Sequence, residues 1–328
     1  MKLERGTHDE YPSGNPASLD YLQKLLYYII NIICSVIIMR DTWQSYQTRQ
    51  YMLKNEYEVF HYKDLDLSEV ELHHHDFYEV YLLLSGKATY MIEGRSYILS
   101  PGDIILVNTD ELHQLNVHNK SIAYERIVLW IKPQFLKELG SNETDLSCCF
   151  KKTGAFHTNL VRSAAVTGKI HRCLSNLLVE TDYNGFASDI YYRNLIQQIM
   201  IEINRDMLDT PATDIKDIVT DDLIRSVMIY ISENISSPLT LDAIASKFHI
   251  SKYHLLREFK RYVGTTVYRY ILQKRLILAK QLILQNMPIK EVYMESGFGD
   301  YSNFFRAFKM EYGITPKEFL KLTRKDLA

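Results

Sequence analysis

An internal repeat in the last third of the chain constrains the fold more than any other sequence feature. Segment 251–260 reappears as segment 300–309, and one spacing of 49 residues relates the two copies. In each copy a helix-capping residue, Ser251 or Asp300, precedes apolar positions four apart, and a glycine follows the last turn. This pattern predicts a short, capped amphipathic helix. The chain therefore contains two copies of one helical unit.

Each repeated helix follows another predicted helix across a tight turn. Segments 241–248 and 289–296 are amphipathic, and only two or three residues separate each of them from its repeat. Two helices joined in this way form a helix-turn-helix unit, whose second helix can enter the major groove of DNA. An apolar stripe over 265–285 predicts a connecting helix that fixes the separation of the units. The C-terminal region is thus predicted to be an all-α double helix-turn-helix.

The distribution of charge supports a nucleic-acid partner. Residues 222–328 carry 17 Lys and Arg against 10 Asp and Glu, which is a net charge of +7. Because the whole chain carries −2, the remaining residues carry −9. A basic domain inside a nearly neutral chain is typical of proteins that bind the phosphate backbone. The alternative is that these charges only solvate exposed helix faces.

The second helix-turn-helix unit ends in a specific signature. It reads Gly297-Phe298-Gly299-Asp300, then Phe304, Arg306, Phe308-Lys309, Gly313 and Thr315-Pro316. Two linked units with this ending resemble the AraC/XylS family of bacterial transcription regulators. The resemblance implies a cytoplasmic, sequence-specific DNA-binding homodimer that is not an enzyme, and no cofactor is predicted. It also implies double-stranded promoter DNA and RNA polymerase as partners, with activation the commoner effect.

The outward-facing residues of the two repeated helices are the predicted DNA contacts. Arg257 is the best candidate for reading guanine, and Asn303 can pair with adenine. Tyr253 and Leu256 match positions that contact bases in family members. Arg257 and Arg306 can alternatively hold phosphates, which fixes the register without reading sequence. The full predicted set is Lys252, Tyr253, Leu256, Arg257 and Lys260 in the first helix, and Tyr301, Ser302, Asn303, Phe305, Arg306 and Lys309 in the second.

Residues 52–135 show a pattern of short strands. Runs rich in Val, Ile, Leu and Tyr alternate with turn signals such as Ser85-Gly86 and Glu93-Gly94. Strands at this spacing predict a sandwich or a small barrel. The predicted strands are 77–84, 88–92, 96–99, 104–107 and 122–131.

A set of histidines lies within this strand-rich region. His73, His75 and Glu79 are separated by even numbers, which predicts that they share one face of one strand. The pattern of these residues with Gly86, Pro101-Gly102-Asp103 and His113 resembles the two motifs of cupin barrels. The resemblance implies a cupin-like sensor barrel whose effector pocket is lined by His73, His75, Glu79 and His113.

A metal site is the alternative interpretation of the same four side chains. In cupin enzymes such three-His, one-Glu sets can hold Fe, Mn, Ni or Zn. A metal-dependent cupin enzyme fused to a DNA-binding domain is therefore the first rival to a regulator. His74 points to the opposite face of the predicted strand and is predicted to be solvated.

The remaining segments complete an α+β multidomain prediction. Residues 136–208 carry two helical stripes and are predicted to be a dimerisation segment, with cover for the barrel as the alternative. Residues 209–221 are polar, contain Pro211 and are predicted to be a linker. Residues 222–328 form the predicted AraC-type DNA-binding domain. Within it, Thr315 to Glu318 predicts a capping box, and Arg275 is predicted to make an internal ion pair.

Residues 1–51 form an atypical extension with an apolar run from Leu25 to Met39. The run is shorter than the roughly 20 residues of a membrane span. A membrane-tethered regulator is therefore kept only as the second alternative. The favoured hypothesis is that the working protein begins near Met39 or Met52. Four cysteines without a regular framework indicate a reduced, cytosolic protein.

Overall fold

A computed structural model describes residues 43–47, 49–118, 121–151, 158–183, 185–209, 218–219 and 221–325. Residues 44–328 form one compact unit, and the architecture below is that of this unit. The apolar run from Leu25 to Met39 lies outside the described residues, as does most of the predicted linker 209–221.

The described elements are strands in the first half and helices in the second. The strands are β1 Trp43–Gln44, β2 Tyr57–Asp64, β3 Glu69–His73, β4 Tyr78–Ser85, β5 Lys87–Ile92, β6 Arg95–Leu99, β7 Ile104–Val107, β8 His113–His118, β9 Tyr124–Ile131, β10 Leu160–Val161 and β11 Ile218–Val219. The helices are α1 Pro133–Leu139, α2 Ala164–Glu180, α3 Ser188–Asp209, α4 Asp222–Glu233, α5 Leu241–Lys247, α6 Lys252–Val263, α7 Val267–Leu284, α8 Ile289–Glu295, α9 Tyr301–Tyr312 and α10 Pro316–Lys325.

Two antiparallel sheets form the predicted barrel. The first sheet has the order β2-β9-β4-β7-β10, and the second has the order β11-β6-β5-β8-β3. In β4, Tyr81 and Leu83 belong to the core between the sheets, whereas Val80 and Leu82 belong to a second core. The first sheet is therefore covered on both faces, which is why its strands are continuous apolar runs rather than alternating ones.

Helices α2 and α3 cover the outer face of the first sheet. Ile170 and Leu174 of α2 and Ile196 and Ile199 of α3 are fully buried in the same core as Leu82. This packing corresponds to the interpretation of residues 136–208 as cover for the barrel, and it leaves one side of the helix pair exposed.

The C-terminal domain contains the two predicted helix-turn-helix units, α5–α6 and α8–α9, joined by α7. The side chains of Ser251 and Asp300 cap α6 and α9, and Gly264 and Gly313 end them at φ 73° and 74°. These two positive φ values are in the left-handed region, which glycine adopts without strain. The sequence repeat is thus a structural repeat, as predicted.

The structure confirms the predicted capping box of this domain and contradicts the predicted ion pair of Arg275. The capping box is confirmed, because the Glu318 carboxylate accepts from the Thr315 backbone N–H at 2.8 Å and the Glu318 N–H donates to Thr315 Oγ1 at 3.2 Å. Arg275 is internal, but its described partners are the backbone carbonyls of Ile235 and Ser237 rather than an acid. The prediction of an ion pair is wrong because the guanidinium donates instead to backbone carbonyls of the turn that follows α4.

The barrel packs directly on the DNA-binding domain. Met91 and Leu112 of the barrel share a core with Val227 and Met228 of α4. Strand β11, in the predicted linker, pairs with β6 and extends the second sheet. The two domains therefore share both a hydrophobic core and a sheet edge.

Polar side chains on α7 complete this interface. Lys274 Nζ lies 2.6 Å from Glu93 Oε1, and the Tyr270 hydroxyl donates to Glu93 Oε2 at 3.2 Å. Lys280 forms an ion pair with Asp110, and both side chains are largely buried. Helix α7, which joins the two helix-turn-helix units, is thus also held by two acidic residues of the barrel.

Candidate effector pocket and nucleic-acid interface

Three histidines meet at one end of the barrel, between the two sheets. His73 ends β3 and is the register partner of His113, the first residue of β8. His75 lies in the connection after β3, and Glu79 lies on β4 in the other sheet. The prediction that His73, His75 and Glu79 share one strand is therefore wrong, because the chain crosses from one sheet to the other between them.

The three imidazole rings are in mutual contact. Their ring centroids lie 4.0 Å apart for His73 and His113, 4.7 Å for His75 and His113, and 6.1 Å for His73 and His75. One ring nitrogen of each histidine lies within 4.8 Å of the corresponding nitrogens of the other two. The structure thus brings together the histidines that the sequence predicted as pocket residues.

Burial lowers the pKa of two of these rings, those of His73 and His113. Burial and the neighbouring His75 lower the pKa of His73 to about 4. Burial, followed by the proximity of His73 and His75, holds the pKa of His113 well below its usual value. At pH 7 both rings are therefore neutral and each has one nitrogen lone pair available.

Glu79 provides negative charge beside the histidines. Its carboxylate accepts hydrogen bonds from the Tyr90 hydroxyl and the Trp130 indole N–H, each at 2.8 Å, and lies 3.6 Å from His75 Nε2. Burial alone would raise the pKa of this carboxyl, but His75, Tyr90 and Trp130 together hold it below its ordinary value. Glu79 is therefore an ionised, fully buried group at the wall of the pocket.

The cavity beside these residues is also lined by a buried arginine, Arg126, which the sequence did not predict as a pocket residue. Arg126 on β9 is 2% exposed and pairs with Asp64 at 2.6 Å, while its Nη2 has no hydrogen-bond partner among the described residues. The position of this arginine inside the apolar strand 122–131 is the sequence feature that could have indicated a buried charge. The other residues that line the cavity are Tyr46, Arg49, Gln50, Tyr62, Val70, Tyr81, Tyr90, Leu115, Val128 and Trp130.

His74 is buried at the domain interface. It is 8% exposed, with Nε2 3.5 Å from Glu311 Oε1 on α9 and Nδ1 3.8 Å from Asp110. Its ring also lies beside that of Tyr312. The prediction of a solvated side chain is wrong because the DNA-binding domain covers this side of the barrel.

We call α6 and α9 the reading helices, and their predicted DNA contacts lie on open surface. Tyr253 is 74% exposed and Leu256 39%, while Leu255 and Phe259 on the other side of α6 are fully buried. On α9 the half-buried residue of the predicted set is Phe305. The exposed members are Lys252, Tyr253, Leu256, Arg257, Lys260, Tyr301, Ser302, Asn303, Arg306 and Lys309.

Hydrogen bonds within each reading helix orient the candidate base readers. Arg306 Nη2 donates to Asn303 Oδ1 at 2.6 Å, and the Asn303 backbone N–H donates to the Asp300 carboxylate at 2.8 Å. On α6, Arg257 Nε donates to Glu258 Oε1 at 2.9 Å. Arg306 and Asn303 are therefore a connected pair rather than two independent contacts.

A polar and aromatic pocket in a barrel that packs on paired helix-turn-helix units defines a ligand-responsive, DNA-binding transcription regulator. Two family models match the chain: an AraC-like ligand binding domain over residues 57–199 and a helix-turn-helix domain over residues 244–322. The chain belongs to the AraC/XylS family of transcription regulators. The predicted family and fold class are thus confirmed.

Relatives with curated names include the transcriptional activator RhaS from two Salmonella strains. The protein from Salmonella arizonae is 24% identical over 249 residues, which is 75% of this chain and 86% of that protein. The protein from Salmonella heidelberg is 25% identical over 248 residues, with the same coverage. Among solved structures, ToxT from Vibrio cholerae with bound unsaturated fatty acid is 16% identical, covers 82% of this chain and 96% of its own, and has a TM-score of 0.36.

The alternative of a membrane-tethered regulator requires a helix that can span the bilayer. Among the helices of the described residues, none has the length and apolar character needed to cross a membrane. The run from Leu25 to Met39 lies outside these residues.

Proposed function

We propose that this protein is a cytoplasmic transcription activator that binds promoter DNA as a homodimer and responds to a small molecule in the barrel pocket. The matched relatives are named as transcriptional activators, which supports activation through RNA polymerase. A DNA-binding domain joined to the pocket supports a regulator rather than a metal-dependent enzyme. We assign His73, His75, Glu79 and His113 to the pocket: the first three line the cavity, and the ring of His113 lies against those of His73 and His75.

Recognition of DNA is assigned to the exposed sides of the two reading helices. In a helix-turn-helix protein the residues near the start of the second helix contact base edges in the major groove. Tyr253 on α6 and Asn303 on α9 lie in the first turn of their helices, and Leu256 and Arg306 lie about one turn further on. Because α7 fixes the spacing of the units, the domain reads two successive major-groove segments about one helical turn apart.

The effector we propose carries an acidic oxygen. Arg126 is buried, charged and only partly paired by Asp64, and a buried guanidinium nitrogen is normally hydrogen-bonded. A carboxylate or similar group would supply the missing acceptor with a charge-assisted bond. The aromatic side chains around it, including Tyr62, Tyr81 and Trp130, provide the apolar remainder of the site.

The response passes through the contacts between barrel and DNA-binding domain. Glu311 at the end of α9 faces His74, whose neighbours His73 and His75 line the pocket. On α7, Lys274 and Lys280 bind acids of the barrel. The barrel thus holds one reading helix and the connecting helix, and effector binding changes how strongly it restrains them.

One observation carries this proposal: the reading faces of both units are open while the opposite side of the domain is held by the barrel. The test is binding of the purified full chain to DNA from upstream of its own coding sequence, with random DNA as competitor, at two salt concentrations. Tight, competitor-resistant binding is expected. Binding that has no sequence preference and disappears as salt rises would show that the basic domain only holds phosphates.

A further inference from the structure

We propose that Glu258 is a positioning residue for DNA recognition: it holds Arg257 so that both terminal nitrogens of this guanidinium are presented to one guanine. The inference deepens the proposed function and rests on it, since it concerns how the first reading helix, α6, reads sequence. An acid on a helix that approaches phosphates weakens binding unless its charge is compensated. The position of Glu258 on this helix therefore requires a physical reason.

Glu258 lies between two arginines of α6. Its Oε1 accepts a hydrogen bond from Arg257 Nε at 2.9 Å, and its Oε2 forms an ion pair with Arg261, one turn further along the helix. Glu258 is 7% exposed, whereas the two arginine side chains are 56% and 61% exposed. The hydrogen bonds from Arg257 and Arg261 hold the pKa of the Glu258 carboxyl below its usual value. Glu258 is therefore an ionised anchor for two exposed cations.

This anchor determines which part of the Arg257 guanidinium remains available. A guanidinium has five N–H donors, one on Nε and four on the two terminal nitrogens. Glu258 uses Nε, and at 3.4 Å Nη2 makes only a weak contact with His254 Nδ1. A bidentate contact to guanine O6 and N7 needs two donors side by side, and the terminal nitrogens are such a pair. With Nε held at the helix, these nitrogens form the end of the side chain that reaches a base.

The second repeat shows that the helix does not need this acid for its fold. The spacing of 49 residues aligns Arg257 with Arg306 and Glu258 with Ala307, and both helices have 12 residues. In α9 the guanidinium is held at a terminal nitrogen instead, because Arg306 Nη2 donates to Asn303 Oδ1 at 2.6 Å. The two reading helices thus hold their arginines at different nitrogens, and the arrangement in α6 is the one suited to bidentate contact with a single guanine.

The test compares Glu258→Gln with the unchanged full-length protein on DNA from upstream of its own coding sequence and on random DNA. The substitution keeps the size of the side chain but removes the charge that holds both arginines. We expect the ratio of the affinities for upstream and random DNA to fall about tenfold, within the range that one bidentate contact contributes to discrimination. The affinity for random DNA should stay the same or rise, because a negative charge near the phosphates is lost. Fluorescence anisotropy measures both affinities.

Glu291→Gln is the matched control, because Glu291 is an exposed acid in the first turn of α8 and the change in charge is the same. It should alter both affinities by the same factor and leave their ratio unchanged. A second variant, Glu258→Ala, introduces the residue that α9 has at this position and should lower the ratio at least as much. Thermal unfolding of each variant reports separately on the fold.

Two further measurements distinguish positioning from a structural role. In the Arg257→Ala background, Glu258→Gln should cause no further fall in the ratio, because the side chain that Glu258 positions is absent. The second measurement uses upstream fragments in which each G·C pair is replaced in turn by A·T. One position in each half-site should weaken binding of the unchanged protein but not of the Glu258→Gln protein.

The possible failures of the inference and of the proposed function are distinguishable. A folded Glu258→Gln protein that keeps the ratio of the unchanged protein, or loses affinity equally on both DNAs, would overturn the inference alone. A further fall in the ratio in the Arg257→Ala background would do the same. Absence of any preference for upstream DNA in the unchanged protein would overturn the proposed function, and the inference with it.

Discussion

At the scale of single residues, Arg306 is the side chain whose role the structure makes easiest to test. Its guanidinium is exposed in the middle of α9 and donates a hydrogen bond to Asn303, so the two side chains are oriented in the absence of DNA. A bidentate arginine contributes to discrimination between bases, whereas a phosphate contact strengthens binding to every sequence equally.

We therefore expect Arg306→Ala to cost about 1–3 kcal/mol at the cognate site and much less on random DNA. Lys309→Ala, three residues later on the same helix, should weaken both to a similar extent and reduce the salt dependence by about one counterion. Fluorescence anisotropy at several salt concentrations measures both effects. Equal losses on cognate and random DNA for Arg306→Ala would assign Arg306 to the phosphate backbone.

The sequence predicts side chains well where their partners are close in the chain. Ser251, Asp300 and Thr315 were assigned correctly because a cap bonds to backbone only two or three positions away. His74 and Arg126 were not, since their partners Glu311 and Asp64 are distant in sequence and are brought near only by packing. The contacts between the barrel and the DNA-binding domain are likewise made by residues that are distant in sequence.

At the scale of elements, strands with turns on both sides were predictable and strands without them were not. The predicted strands in 77–107 and 122–131 match β4–β7 and β9 to within two residues at each end. By contrast, β3 and β8 each contain histidines and polar residues that interrupt the apolar pattern. These two strands carry His73 and His113, so the strands that the sequence failed to predict are the ones that form this end of the barrel.

Helix α7 is the element on which regulation should depend most. Lys280 is 6% exposed and pairs with Asp110 of the barrel. Lys280→Met removes this ion pair but keeps an unbranched apolar side chain of similar length. If the barrel restrains the domain, this variant should bind promoter DNA at least about fivefold more tightly without effector, the lower end of usual coupling between sites. Quantitative gel-shift titration measures the change.

Whether Lys280→Met raises or lowers the affinity for DNA distinguishes release from the barrel from the loss of one positive charge. Removing a lysine normally weakens DNA binding, because fewer counterions are released. Lys321→Met, which removes an exposed lysine of α10, should show this ordinary loss or no change. A loss of affinity in Lys280→Met equal to that in Lys321→Met would contradict the proposed restraint through α7.

At the scale of the whole molecule, the connection between α2 and α3, together with the start of α3, is the surface we assign to the homodimer. The two helices are buried on the barrel along one side, whereas Phe186 and Tyr183 in the connection are 96% and 52% exposed and Ile190 at the start of α3 is 59% exposed. Exposed apolar side chains in one short segment favour an interface with a partner. A twofold dimer would use the same surface on both copies and would place two DNA-binding domains on one promoter.

We expect the combined variant Phe186→Asp and Ile190→Asp to raise the dimer dissociation constant by at least about 100-fold, because each buried apolar side chain contributes about 1.5–3 kcal/mol. Tyr268→Asp, on an aromatic residue of α7 that is 74% exposed, is the control and should remain dimeric. Sedimentation velocity over a concentration series measures the constant for both proteins. A dimer that survives the double substitution but not Tyr268→Asp would move the interface from the helix pair to the DNA-binding domain.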